Sequence, residues 1–267
     1  MSASDDQAQI AWQPLTARGV AAFARASLRR LLLVQLIVAL LTAGTVIWFL
    51  HHCWFPTIGL AIRALPAQGE IRAGSLDWTG PSPSLLAEGR FLAITVDLEH
   101  AGEARSPAHI QVEFGRANFK VYSLLGGFQS AYPHGEVLAF NRTALWPWWG
   151  AWAPAILAMV AGAVVAGLMV IWAWLATLYC LPVWLIGFLA NRDCSLGGSW
   201  RLAGAALMPG ALLMCAAICM YGWGALDLLR LAGTAGVHLL VGWVYLLVSP
   251  LRLPRHPAVV AKSNPFA

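Results

Sequence analysis

The feature that most constrains this chain is a long apolar stretch, residues 153–190, which contains no charged side chain. At about 1.5 Å per residue, a straight helix of this length exceeds the roughly 30 Å hydrocarbon core of a bilayer. An uncharged run of this kind is tolerated where backbone polar groups are paired internally and lipid surrounds them. It therefore predicts an integral membrane protein whose helix spans once and then bends, at Pro182, where a backbone N–H is missing.

The composition agrees with a membrane protein. The chain is 59% hydrophobic and 11% charged, whereas an ordinary soluble domain has about 25% charged residues. The net charge of +5 comes largely from basic residues that flank the apolar runs: Arg18, Arg25, Arg29, Arg30, Arg192, Arg201, Arg252, Arg255 and Lys262. By the positive-inside rule, this distribution places both termini in the cytoplasm and predicts no nucleic-acid partner.

The predicted fold is an α-helical membrane protein with four transmembrane helices and a small β-rich extracytoplasmic domain inserted between helices 1 and 2. Its segments are a cytoplasmic tail with an interfacial helix (1–30), helix 1 (31–52), the β-rich domain (53–150), helices 2–4 (151–250) and a cytoplasmic tail (251–267). Within 151–250 the spans are expected at about 152–178, 202–221 and 226–248, with an inner elbow at 180–200 and a kink at Pro209.

The segment between the first two spans has the alternation that is typical of strands. Strands are predicted within 70–78, 90–99, 109–115 and 118–125, after a short helix within 56–69. In residues 94–99, apolar Ile94, Val96 and Leu98 alternate with Thr95, Asp97 and Glu99. This alternation predicts a strand with one buried face and one face in water.

His51, His52 and Cys53 form the most chemically suggestive cluster in the sequence, because imidazole and thiolate are ligands for zinc, copper or haem iron. Adjacent residues point about 100° apart on a helix, which disfavours one shared ion. We therefore interpret them as amphipathic residues at the membrane interface, and we predict no metal site and no cofactor. The five cysteines likewise give no disulfide framework.

His238 lies well inside the predicted fourth span, and an ionisable residue there is by default a candidate for proton relay or ligand binding. The competing interpretation is a neutral imidazole bonded to a neighbouring helix, through Gln35, Thr42 or Thr45. At the outer start of the same span, Asp227 and Arg230 are spaced to pair on one helix face.

Ala158, Gly162 and Ala166 recur every four residues in the second span and form a stripe of small side chains. Such a stripe lets another helix approach closely, and we expect it to pack within this protein. The sequence contains no Ser/His/Asp order, Gly-rich phosphate loop, H-E-x-x-H or paired C-x-x-C motif. We therefore predict no catalytic residues and a protein that is not an enzyme.

Two short motifs and the layout of spans resemble a bacterial family of multi-span membrane proteins, the DUF1189 type, grouped near Yip1-like proteins. The matching residues are Trp54, Phe55 and Pro56 through Gly69, then Ser199, Trp200, Arg201, Leu202 and Ala203 through Met208 and Pro209. Met208 stands where the family pattern has Thr. The resemblance implies a four- or five-span protein of the cell inner membrane and brings no established catalytic residues.

Together these features favour a non-enzymatic scaffold or accessory protein, integral to the inner or plasma membrane with both termini cytoplasmic. Apart from the lipid bilayer, its expected partner is a protein bound, or a signal sensed, through the exported residues 56–147. The alternative is a small permease, or a cofactor- or metal-handling membrane protein, that uses His238.

Overall fold

The computed structural model describes residues 12–256. The start of the predicted N-terminal tail and the end of the C-terminal tail, residues 1–11 and 257–267, lie outside the described residues.

The described chain is 58% helical and carries two β-sheets. Its α-helices are α1 (Ala17–Ala22), α2 (Leu28–Phe49), α3 (Phe55–Ala64), α4 (Arg142–Leu189), α5 (Leu196–Ala206), α6 (Met208–Gly222) and α7 (Leu228–Val248). A π-helical turn, Leu50–Trp54, joins α2 to α3, and a 3-10 turn, Pro250–Arg252, follows α7.

Four helical stretches are long and apolar enough to cross a membrane: Leu28–Ala64, Arg142–Leu189, Leu196–Gly222 and Leu228–Arg252. The predicted number of such helices is confirmed for the described residues. The membrane itself, and the side on which each terminus lies, stay predictions.

Two boundaries differ from the expected ones. Helix α4 continues through Pro182 to Leu189, so part of the predicted elbow is helical and the turn occupies residues 190–195. A proline inside a helix removes one hydrogen bond, and the turns on either side hold the helix together. In the third stretch the helix is interrupted at Leu207, and Pro209 lies in the first turn of α6, where a missing N–H is harmless.

The described chain divides into two compact units. Of the described residues, the helical unit contains 12–45, 161–226 and 230–256, and the β-rich unit contains 46–160 and 227–229. Phe23, Leu31, Leu202 and Met208 are fully buried in the core of the helical unit.

The core of the helical unit is completed by polar groups that bond to backbone carbonyls. Gln35 Nε2 donates to Gly204 O at 3.2 Å, and Arg201 Nη2 donates to Ala24 O at 2.7 Å. These bonds tie α2 to α5, and the segment that follows α1 to α5, so Gln35 Nε2 and Arg201 Nη2 each have a backbone acceptor.

The β-rich unit contains eight short strands, namely β1 (Gly69–Arg72), β2 (Ser75–Trp78), β3 (Ser84–Glu88), β4 (Leu92–Val96), β5 (Ile110–Phe114), β6 (Asn118–Ser123), β7 (Gly126–Ala131) and β8 (Leu138–Ala139). They form a three-stranded sheet in the order β2-β1-β8 and a five-stranded sheet in the order β3-β4-β5-β6-β7. Neighbours are antiparallel except β4 and β5, which are parallel.

The predicted strand over 70–78 is a hairpin instead, because Ala73 and Gly74 both adopt positive φ and turn the chain between β1 and β2. Two central residues with positive φ are the signature of the tight turns that join antiparallel strands. Strands β3, β7 and β8 were not expected from the sequence, whereas the helix expected within 56–69 is present as α3.

The expectation of a wet face on β4 is wrong. Thr95 is 0% exposed and Asp97, just after the strand, is 2% exposed. The loop after β4 covers this face: Gln111 Nε2 donates to Ala104 O at 2.8 Å, and Gly102 N donates to Asp97 Oδ2 at 2.8 Å. Both faces of β4 are therefore buried, one among apolar side chains and the other among polar ones.

Candidate functional sites

The most concentrated group of buried polar side chains lies on the polar face of the five-stranded sheet. We call it the His100 cluster; its members are Thr95, His100, Gln111, Glu113, Asn118 and Tyr122. Gln111 and Glu113 are two residues apart on β5 and so project from the same face. The parallel register pairs Thr95 of β4 with Glu113, which brings the neighbouring strand's polar residue to the same place.

His100 lies at the centre of this cluster. Its Nδ1 is 2.6 Å from Glu113 Oε1 and its Nε2 is 2.7 Å from Asn118 Oδ1. The ring therefore links the loop after β4 to β5 and to β6. His100 adopts a positive φ of 53°, and a Cβ added at Gly115 would lie 2.2 Å from its Nε2, so a glycine there makes room for the ring.

Glu113 is fully buried, and three side chains meet its carboxylate. Besides His100, Tyr122 OH donates to Oε1 at 3.4 Å and Gln111 Nε2 to Oε2 at 3.4 Å. A buried carboxylate needs partners of this kind to offset the loss of hydration. The cluster thus fastens the loop after β4 to the sheet, which is a structural role, and the sequence pattern gave no sign that the alternating polar residues were buried.

The second feature is the free edge of the five-stranded sheet. We define the β7 patch as strand β7 together with Leu124 and Leu125, which form the turn before it. Leu124, Leu125 and Phe128 are 73%, 63% and 61% exposed. Scattered apolar residues on a surface are ordinary, but three together at a sheet edge form a patch of the kind used for binding.

His51, His52 and Cys53 lie in the π-helical turn after α2. His52 Nδ1 donates to Trp48 O at 3.0 Å, and the rings of His51 and His52 are 5.1 Å apart and nearly perpendicular. Both rings border a groove of about 600 Å³ that Phe55 and Trp149 also line. Among residues 12–256, no three His, Cys, Asp or Glu side chains are grouped so as to hold a metal ion.

His238 borders a cavity of about 300 Å³ inside the helical unit, which we call the His238 cavity. Its Nδ1 donates to the carbonyl of Ala235 on its own helix, so its partner is not Gln35, Thr42 or Thr45. Those three side chains bond elsewhere, to Gly204 O, Val38 O and Leu41 O. Thr42 also accepts a hydrogen bond from Cys215 Sγ at 3.3 Å.

The small-residue stripe is exposed. Ala158, Gly162 and Ala166 all face outward, and a Cβ added at Gly162 would meet no described atom within 4 Å. The expected packing of this stripe against another helix is therefore not seen among residues 12–256. Asp227 directly precedes α7 and Arg230 lies in its first turn, both exposed, and their pairing stays a prediction.

Three groups outside the apolar helices have shifted pKa values. Burial raises the pKa of the Cys194 thiol, and hydrogen bonding to Ser199 opposes this rise. Burial also raises the pKa of Tyr132, whose hydroxyl donates to Gly115 O at 2.9 Å. The pKa of His109 is lowered, first by burial and then by the Arg90 charge. Of these groups, His109 borders a groove of about 440 Å³ that Glu88 and Arg90 also line.

Comparison of the chain with protein-family models, with curated proteins and with solved structures finds no match. The resemblance to the DUF1189 type therefore stays a prediction.

Proposed function

We propose that this chain is a non-enzymatic integral membrane protein whose β-rich unit lies outside the cytoplasm and binds a protein partner. The partner would add an extended, uncharged strand to β7. The observation that carries the proposal is the unprotected apolar edge at the β7 patch.

The membrane part of the proposal is supported by the surface of the long helices. Large apolar side chains are exposed along them, for example Ile37 and Leu40 on α2 and Val170 on α4. Such side chains would be costly in water at about 25 cal/mol per Å² of apolar surface, whereas lipid solvates them well. The clustering of basic residues near the chain ends supports the orientation.

The two edges of the five-stranded sheet are treated differently. Strand β3 has a register shift between Leu85 and Ala87, and α3 packs against it. A bulge and a covering helix are the usual means by which a protein prevents a further strand from pairing. Strand β7, with the sequence Gly-Gly-Phe-Gln-Ser-Ala, has no proline or charged residue, and five of its six residues are exposed.

An added strand would satisfy the outer backbone groups of β7 and could place apolar side chains against Phe128. Phe128 already contacts Phe119 of β6, with ring centroids 6.2 Å apart, so an apolar surface is continuous across the two strands. Because β7 offers no charged side chain, the partner segment is expected to be extended and uncharged.

The test is site-specific photocrosslinking of the full-length protein in cell membranes. A photoreactive phenylalanine analogue placed at Gln129 on β7 should give one discrete protein adduct, and the same analogue at Leu85 on β3 should give none. Phe128→Lys should reduce the Gln129 adduct at least tenfold. Val137→Lys, an equally exposed site outside β7, is the matched control and should leave it unchanged.

Equal adducts from Gln129 and Leu85, or an adduct indifferent to Phe128→Lys, would contradict the proposal. An adduct with the mass of two copies of this chain would also contradict it, because the occupant would then be a second copy.

The second candidate function is a small permease, or a cofactor- or metal-handling membrane protein, that uses His238. It is favoured by the cavity that His238 borders. A permease needs a water path to this residue, so His238→Cys, with the other cysteines replaced, should react with a membrane-impermeant thiosulfonate reagent. Absence of reaction in intact membranes, with full reaction after unfolding in detergent, would remove this candidate.

A further inference from the structure

The His238 cavity has walls from four helices of the helical unit. Thr42 of α2, Met214 of α6 and Gly242 of α7 contribute to it, with Leu168, Trp172 and Tyr179 of α4. Its volume of about 300 Å³ is at the lower end of the range for small-molecule sites, about 300–1,000 Å³. It is therefore large enough for one small ligand.

The walls of the cavity are largely apolar. None of the described residues that line the cavity is charged, and aromatic rings of Trp172, Tyr179 and Trp243 border it. A charged ligand would lose its hydration here without gaining a counter-ion, which disfavours its binding. Aromatic walls instead favour a flat apolar ring, which can stack or meet them edge to face.

His238 supplies one hydrogen-bond acceptor in this apolar space. Because its Nδ1 carries the proton donated to Ala235 O, the neutral ring has its lone pair on Nε2. Among the described residues no hydrogen-bond donor meets Nε2, and the ring borders the cavity. Thr42 of α2 already donates to Val38 O and accepts from Cys215. The other polar groups of the wall are the Tyr179 hydroxyl and the indole N–H groups of Trp172 and Trp243.

We propose that the His238 cavity binds an uncharged, lipid-soluble phenol or hydroquinone, whose hydroxyl donates a hydrogen bond to His238 Nε2. The ring of the ligand lies against the aromatic wall and its apolar tail extends along α4. A saturated lipid chain matches the apolar wall but brings no donor for Nε2, and the geometry therefore favours the hydroxylated ring. This inference is independent of the partner proposed for the β-rich unit.

The test compares two probes, 4-hexylphenol and its methyl ether 4-hexylanisole, on the full-length protein in detergent. The ether has the same ring and tail but no hydroxyl proton. Binding is measured as the rise in the thermal unfolding midpoint with probe concentration, which gives an apparent Kd. Loss of the hydrogen bond to His238 Nε2 predicts about tenfold weaker binding of the ether to the wild type.

Partition of the probes into micelles is removed by comparing variants. In His238→Leu the preference for the phenol over the ether should fall about tenfold, whereas His238→Gln, which keeps an acceptor, should retain part of it. Ala211→Phe fills the cavity and should abolish binding of both probes. Ala163→Phe, the same change at an exposed position of α4, is the matched control and should bind like the wild type.

If Ala211→Phe does not fold, Gly242→Ala replaces it, because the added methyl makes ordinary contacts, 3.7 Å from Leu207 Cδ2. It should weaken both probes. Equal binding of phenol and ether by the wild type would overturn the proposal and would identify a cavity for lipid chains. A phenol preference that survives in His238→Leu, or binding unaffected by both cavity-filling variants, would overturn it too.

Discussion

Gly210→Ala is the most discriminating perturbation of the helical unit, because it tests how closely α6 and α7 cross. A Cβ built at Gly210 would lie 2.7 Å from the carbonyl oxygen of His238 on α7. Real Cβ atoms do not approach backbone oxygens so closely, so one helix must shift. The atom met is backbone rather than the end of a flexible side chain, and it cannot rotate away.

The expected size of the effect follows from two opposing terms. Overpacking a tight core position destabilises by about 1–3 kcal/mol, and a contact with rigid backbone belongs to the upper half of that range. Replacing Gly by Ala inside a helix stabilises by up to about 1 kcal/mol, and by less at Gly210, which lies in the first turn of α6. The net loss is about 1–2 kcal/mol, a factor of roughly 5–30 in the folded-to-unfolded ratio.

The assay is reversible unfolding of the purified full-length protein in mixed micelles with increasing SDS, followed by circular dichroism. Gly236→Ala is the matched control, because Gly236 is exposed on α7 and an added Cβ there meets no described atom within 4 Å. It should be neutral or slightly stabilising. A Gly210→Ala variant as stable as Gly236→Ala would refute the close crossing.

Three further outcomes are expected. Glu113→Ala removes the acceptor of His100 Nδ1 and should lower stability by about 1–3 kcal/mol, measured by thermal unfolding, with Glu113→Gln less affected. Burial raises the pKa of Cys194, so less thiolate is present at any given pH. A variant with Cys194 as its single cysteine should therefore be alkylated at pH 8 more slowly than free cysteine, and its alkylation should become faster as the pH rises. An alkylation rate equal to that of free cysteine at pH 8 would contradict this. Arg25→Ala breaks an exposed ion pair with Asp193 and should change stability by less than about 1 kcal/mol, and a larger loss in the same unfolding assay would indicate a structural role for the pair.

The number of long apolar helices could be predicted from the sequence because it depends on composition over many residues, and no single contact decides it. Their ends depend on local events. The elbow expected from residue 180 begins only at residue 190, because the turns around Pro182 keep the helix intact. Sequence spacing marks where a helix is weakened, and the tertiary surroundings decide whether it ends there.

Burial of the polar face of the five-stranded sheet could not be predicted from the sequence. Alternation in residues 94–99 identifies a strand correctly, but it does not show whether the polar face meets water or other polar groups. Thr95 and Asp97 are buried because the next strand, parallel to β4, carries Gln111 and Glu113 on the same face and a loop closes over them. That requires the pairing of strands across a loop of more than ten residues, which no local pattern reveals.

His238 and the small residues lead to a related conclusion about helix packing. Small residues at four-residue spacing predicted a packed stripe at Ala158, Gly162 and Ala166, yet these are exposed, and the close approach occurs at Gly210, opposite His238. Spacing identifies a surface on which close approach is possible, and contact with a partner helix decides which surface is used. At the position where the two helices do meet, the imidazole bonds to its own helix and keeps one acceptor beside an apolar cavity. A residue that serves packing alone would need no such cavity, and the phenol and ether probes therefore test whether His238 has a ligand.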